Sequence, residues 1–143
     1  MNITYAPAYE HRHVLDAMVT PEDRIKMTGP YDDPDRSPTW HIRDDESARY
    51  AILLDGTVVG ELEFAWYDFV PYTGFFLGEP FRGQGILQRA WEGKSPEHGD
   101  LFFAGTWEDN HASWRLLEKL GFELTSSYII DDGRTVRKYM FSR

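Results

Sequence analysis

The stretch Leu77-Gly-Glu-Pro-Phe-Arg-Gly-Gln-Gly-Ile-Leu87 decides how the rest of the chain is read. Before it runs Thr73-Gly-Phe-Phe-Leu77, an apolar run of buried-strand length. Gly78, Pro80, Gly83 and Gly85 make the next segment a turn. Ile86-Leu-Gln-Arg-Ala-Trp91 then opens with helix formers. A strand, a glycine-rich turn and a helix start present free backbone N–H groups to an anion. Gly83 and Gly85 leave room for a phosphate against the backbone, and Arg82 supplies a positive fork beside them. Alone, the same stretch also reads as a turn that merely ends a strand.

Downstream, Leu101-Phe-Phe-Ala104 reads as a second buried strand. Asp109 or Asn110 caps a helix that runs to Leu120 and stops at Gly121. Residues 123–131 and 135–142 flank Asp132-Gly133, a hairpin turn. The motif helix looks short, because Glu92-Gly-Lys-Ser-Pro-Glu-His-Gly-Asp100 interrupts it with glycine and proline.

Upstream, residues 2–6 alternate as a short edge strand that Pro7 ends. Residues 9–18 have mixed helical spacing. Thr20-Pro-Glu-Asp23 starts a second helix, with Thr20 as cap and Pro21 in the first position, and Gly29-Pro30 stops it. Residues 29–48 read as loop, with three prolines and six acids against two arginines. It is part of a binding site or a solvated connector. Residues 49–54 and 57–68 form strands around the hairpin turn Asp55-Gly56. Alternation puts Leu62, Phe64 and Trp66 on one face of the second, and Glu61, Glu63 and Tyr67 on the other. Residues 70–73 turn into the strand 74–77. The order is therefore β-α-α-β-β-β-α-β-α-β-β, an α/β (α+β) arrangement with no internal repeat.

Hydrophobic residues make up 41% of the 143, which is too many for a disordered tail and enough for one domain, residues 1–143. No apolar run approaches the ~20 residues that span a bilayer, and no secretory signal is visible, so a cytoplasmic protein without membrane association is expected. Cysteine is absent, which excludes thiolate chemistry and disulfides. The formal charge of −9 repels nucleic acid but not an amine, or it simply aids solubility.

Thr106-Trp-Glu-Asp-Asn-His-Ala-Ser-Trp-Arg-Leu-Leu-Glu-Lys-Leu-Gly-Phe122, together with Arg82-Gly-Gln-Gly-Ile-Leu87, resembles the GCN5-related N-acetyltransferase (GNAT) superfamily. That family pairs an Arg/Gln-x-x-Gly-x-Gly/Ala turn with a later Asn…(Ser/Ala)…Gly-Phe helix. The spelling around Asn110, Ser113 and Gly121-Phe122 is most similar to the branch that acetylates ribosomal-protein amino termini. The resemblance implies a mixed, mostly antiparallel sheet splayed between strands 4 and 5, with Gly78 marking a bulge where the splay starts. It implies acetyl-CoA as co-substrate, no metal, and an amine acceptor on a protein or small molecule. A catalytically inactive module that binds a protein partner is the alternative, and a homodimer is left open.

The donor site expected from the resemblance is the backbone of Leu77, Gly83, Gln84, Gly85, Ile86 and Leu87, with Arg82, Asn110 and Ser113. Two departures stand out. Leu87 replaces the motif's last small residue, and Leu117 stands where many members carry a tyrosine acid. Asn110 also reads as a plain helix cap. Acetyl transfer needs a proton acceptor for the amine, an oxyanion donor and a proton for the thiolate. Asp68, amid aromatic residues that would raise its pKa, is the expected base or else an exposed turn acid before Pro71, and Glu79, Glu61 and Glu63 are the other candidates. Ser113 is the nearest hydroxyl for the leaving group, with water as the other source. Trp107 and Trp114 flank the second motif and would shape the acceptor cleft. His11 and His13 do not share a helix face, His41, His98 and His111 are isolated, and no zinc spacing occurs.

If the acidic loop belongs to the acceptor site, neutralising Asp32, Asp33 and Asp35 together raises the acceptor KM while leaving acetyl-CoA affinity alone. Steady-state kinetics with each substrate varied in turn checks this, and an unchanged acceptor KM removes the loop from the site.

Overall fold

The computed structural model describes residues 1–27, 47–67 and 69–143. Residues 29–46 of the acidic loop, His41 among them, and Asp68 lie outside these. Seven strands form one sheet in the order β1-β2-β3-β4-β5-β7-β6. They are β1 Ile3–Pro7, β2 Ser47–Leu54, β3 Thr57–Tyr67, β4 Val70–Leu77, β5 Leu101–Trp107, β6 Glu123–Ile129 and β7 Thr135–Ser142. Four helices accompany them: α1 Arg12–Met18, α2 Pro21–Met27, α3 Ile86–Lys94 and α4 His111–Leu120. All strand pairs are antiparallel except β4 with β5.

Local chemistry explains most boundaries. Asp55 and Gly56 both take positive φ (49° and 86°), which a two-residue hairpin between twisted strands requires. The Asp23 amide donates to Thr20 Oγ1 at 3.0 Å and the Thr20 amide to Asp23 Oδ2 at 3.1 Å, a reciprocal cap that starts α2. Gly121 ends α4 in the left-handed region.

The main core lies between one sheet face and helices α3 and α4. Ile52, Leu62, Phe64, Ile86, Trp91, Phe102, Leu117 and Tyr139 are buried there. The Trp91 ring meets Phe102, Phe122 and Phe141 edge-on, with centroids 5.1–5.4 Å away. Its indole N–H donates to Thr73 Oγ1 at 2.9 Å, and the Thr73 hydroxyl donates to the Glu63 carbonyl at 2.9 Å. A smaller cluster of Ala8, Leu15 and Ala51 covers the opposite face.

Several expectations need correction. Residues 9–18 divide into a 3-10 turn, Ala8–His11, and the short helix α1. β4 begins at Val70, because Val70 to Thr73 pair with β3 rather than turning. Gly78 is not a bulge: the β3–β4 register runs without a shift, and the Gly78 amide donates to the Val59 carbonyl at 2.8 Å just past the strand. α3 continues through Gly93 to Lys94, and a 3-10 turn extends it to His98. His98 is not an isolated surface residue. It stacks on Phe64 at 4.4 Å and hydrogen-bonds the Tyr50 hydroxyl at 2.8 Å.

Leu117 is fully buried in this core, which accounts for an apolar residue at this position. Leu117→Ala is expected to cost about 2–5 kcal/mol of stability. Chemical denaturation with a turnover assay on the folded fraction checks it. A normally stable variant without turnover would give the position a catalytic role instead.

Candidate active site

The β4-to-α3 connection builds the donor side. The 3-10 turn Glu79–Phe81 leads to Arg82, then Gly83 and Gly85 adopt φ of 79° and 76°. Nothing lies within 4 Å of the position a β-carbon would take at either glycine. The turn is therefore open as well as left-handed, and α3 begins beside it with first-turn amides that have no acceptor within the helix. Gln84 is exposed, Ile86 is buried, and Leu87 packs on the core edge. The Arg82 guanidinium is engaged within the protein. Nε donates to the Leu77 carbonyl at 2.8 Å, and the terminal amine donates to Asp23 at 3.0 Å. Arg82 thus fastens the turn to α2, and Asp23, only 5% exposed, has its charge met by Arg82 and the Thr20 amide.

Between β4 and β5 the register contains the single couple Tyr72↔Phe103. Beyond it the two strands part, as the resemblance implies. The Gly78–Val59 bond fixes which β4 amides point toward β3. In an antiparallel ladder these alternate, so the amides of Phe75 and Leu77 turn toward the β5 side, into the gap. Across the gap, Asn110 occupies the N-cap position of α4 but makes no side-chain capping bond, which removes its reading as a plain cap. Its carbonyl accepts from the Ser113 amide at 3.1 Å. Ser113 is half-buried in the first turn of α4.

The face opposite α3 and α4 carries the ionisable groups. Glu63, on β3, sits directly across from Gly74 on β4. A β-carbon at Gly74 would lie 3.6 Å from the Glu63 carboxyl, so the glycine makes room for that carboxyl over β4. Burial pushes the Glu63 pKa up to about 7, Arg49 opposes this, and the nearby Glu61 charge adds to it. Glu61 is committed elsewhere. Arg12 grips it through two hydrogen bonds, of 3.2 and 2.6 Å, and Arg49 lies 3.4 Å away. Glu79 is exposed at the turn. Trp107 is buried under the Arg134 guanidinium, 3.4 Å from its ring centre, and the Trp114 indole donates to the Glu108 carbonyl at 3.0 Å. Of the three described carboxylates, Glu61, Glu63 and Glu79, it is Glu63 that has the environment of a base near neutrality. Its sequence signal was a glutamate in the middle of a long apolar strand. Among the described residues no group of three or more His, Asp or Glu is placed to hold a metal.

Comparison with known proteins bears on this arrangement. The model of the acetyltransferase (GNAT) family matches residues 12–122. The fold is similar to that of an acetyl transferase from Salmonella typhimurium that modifies the N-terminal serine of the ribosomal protein L7/L12. The TM-score is 0.75 at 20% identity, over 100% of this chain and 96% of that one. It is also similar to the microcin C7 self-immunity acetyltransferase MccE, solved with acetyl-CoA and AMP, at TM-score 0.74 and 20% identity over 99% and 92%. An N-acetyltransferase from Staphylococcus aureus Mu50 aligns at TM-score 0.68 and 17% identity over 99% of both chains. At these identities the structural likeness speaks for the fold. No curated protein sequence matches. The family match spans most of the chain and contains both motifs, so the protein belongs to the GNAT acetyltransferase family, enzymes that take their acetyl group from acetyl-CoA.

Proposed function

We propose that residues 1–143 act as one cytoplasmic N-acetyltransferase domain that passes acetyl from acetyl-CoA directly to an amine in a ternary complex. The acceptor is a protein amino terminus, a lysine or a small amine. The observation that carries this reading is the β4–β5 split, held to one registered couple beside an open, glycine-lined helix start.

In this reading the pyrophosphate rests on the backbone of Gly83, Gln84, Gly85, Ile86 and Leu87. The pantetheine arm lies in the split and borrows the Phe75 and Leu77 amides as an added strand would. Asn110 and Ser113 border it on the far side. The neutral amine attacks the thioester carbonyl, and a β4 amide stabilises the oxyanion. Collapse breaks the C–S bond and forms the amide. The amine's proton passes to Glu63, and the thiolate takes a proton from Ser113 or water. We assign this role to Glu63 because its carboxyl lies over Gly74 at the edge of the split, while Asp68 lies outside the described residues.

Calorimetric titration of CoA tests the donor site. Gln84→Ala is expected to bind like wild type, because its backbone does the work. Gly85→Asp is expected to abolish binding with the fold intact by circular dichroism, since it brings strain and negative charge to the phosphate position. Arg82→Ala is expected to weaken binding about tenfold by releasing the turn, a loss equivalent to ~1.4 kcal/mol. Equal affinity in wild type and folded Gly85→Asp would overturn the assignment, and absence of binding in wild type would favour a non-catalytic partner-binding module.

The pH dependence follows from the raised Glu63 pKa. Only the deprotonated carboxylate accepts a proton, so kcat/KM rises with pH up to about 7 and then levels, unless the acceptor amine adds a second limb. Glu63→Gln removes the limb at 7 and lowers kcat by about 10²-fold or more. A pH–rate profile that keeps that limb in the variant would assign the base elsewhere.

A further inference from the structure

The register places two glycines level with each other on the two lips of the split. Gly74 on β4 and Gly105 on β5 each lie two residues beyond the Tyr72↔Phe103 couple. Alternation along the strands sets both on the face of Glu63. Over Gly74 lies the Glu63 carboxyl, reaching in from β3. Over Gly105 lies Lys138, its direct cross-strand partner on β7, with Cδ and Nζ both 3.7 Å from where a β-carbon at Gly105 would be. The ammonium points on across β5 to the Tyr72 ring on β4, 5.6 Å from its centre. Each lip thus has a glycine that clears space, and over each glycine an ionisable side chain from the next strand. One lip is acidic and the other basic.

The basic group has no carboxylate partner among the described residues, and no ion pair joins it to Glu63. Arg12 and Arg49, cations of the same face, are instead committed to Glu61. A partly buried lysine that meets no carboxylate among the described residues is placed to take an anion from outside. A cation–π contact with Tyr72 holds the side chain in place but does not neutralise it.

We propose that Lys138 selects the acceptor, and that the split takes a primary amine with a carboxylate close by, the amine toward Glu63 and the carboxylate toward Lys138. This rests on the acetyl-transfer reading and narrows its substrate class. The lips are about 4.8 Å apart where strands pair and wider where they part. An amine and a carboxylate on the same residue or on successive residues bridge that span with one hydrogen bond at each end. The carboxylate takes no part in bond making. A free amino acid and a peptide amino terminus followed by an acidic residue share this chemistry.

The test compares kcat/KM for charged and neutral acceptors in wild type and Lys138→Met, so that intrinsic amine reactivity cancels in the ratio. One arm uses free L-alanine against L-alaninamide. The other uses an amidated peptide with aspartate in second place against the same peptide with asparagine. The preference for the charged acceptor is expected to fall at least tenfold in Lys138→Met and to reverse in Lys138→Glu, and the arm that responds identifies the source. An unchanged preference in both arms overturns the proposal. So does a loss of CoA affinity in Lys138→Met that accounts for the whole effect, since Lys138 would then serve the donor. Calorimetric binding of the same acceptors with CoA present reads the same ratio without turnover, so a failed transfer reaction and a failed Lys138 assignment are distinguishable. Circular dichroism controls for folding.

Discussion

The arrangement depends on a ladder that is not completed. β4 and β5 share one registered couple and then diverge, so the sheet is two halves whose backbones barely hold each other. The halves are joined instead by the apolar layer behind them. Trp91 is central, because its ring packs on Phe102 of β5 and Phe141 of β7 while its N–H bonds Thr73 of β4. Apolar burial is non-directional and tolerates two strands leaning apart, whereas ladder hydrogen bonds do not. The fold can therefore leave amides turned into a gap and still have a continuous core.

Polar chemistry does the complementary work on the other side. Asp23 is a buried carboxylate whose charge is met by Arg82 and by the cap of its own helix. Arg82 in turn holds the Leu77 carbonyl, so the end of β4, the glycine turn and α2 are one hydrogen-bonded unit. Losing Arg82 would strand the buried Asp23 charge, which costs more than the pair itself contributes. The Thr73 hydroxyl similarly carries a hydrogen bond from the Trp91 indole through to the Glu63 backbone, so the strand bearing the proposed base is anchored to the middle of the core.

What could be read from the sequence was whatever is decided within a few residues. The Thr20–Asp23 cap, the Asp55-Gly56 hairpin and the glycine turn before Ile86 are local, and each formed where its residues said. Alternation assigned Glu63 to a face but could not show that its carboxyl lies over Gly74, because that needs the β3–β4 register. Gly105 and Lys138 are far apart in the chain and meet only through β5–β7 pairing. The half-exposed Trp66 shows the same limit: a period of two gives the face of a strand, not whether another layer covers it there. Arg82 was legible as a cation near the turn, but its partner Asp23 lies 59 residues upstream.

Gly93 failed in the most instructive way. Read locally it is a helix breaker, and in an exposed helix it would cost roughly 1 kcal/mol against alanine. Here a β-carbon at position 93 would lie 2.7 Å from the Tyr5 hydroxyl oxygen, which is held in place by donating to the Ala90 carbonyl at 2.8 Å. The ring carbon behind that oxygen is 3.9 Å away, an ordinary contact. The obstacle is thus one oxygen atom. With alanine at 93 the tyrosine at 5 must shift its hydroxyl, whereas phenylalanine at 5 leaves the β-carbon room. The dependence therefore runs one way: a side chain at 93 displaces the hydroxyl at 5, but loss of that hydroxyl needs no change at 93.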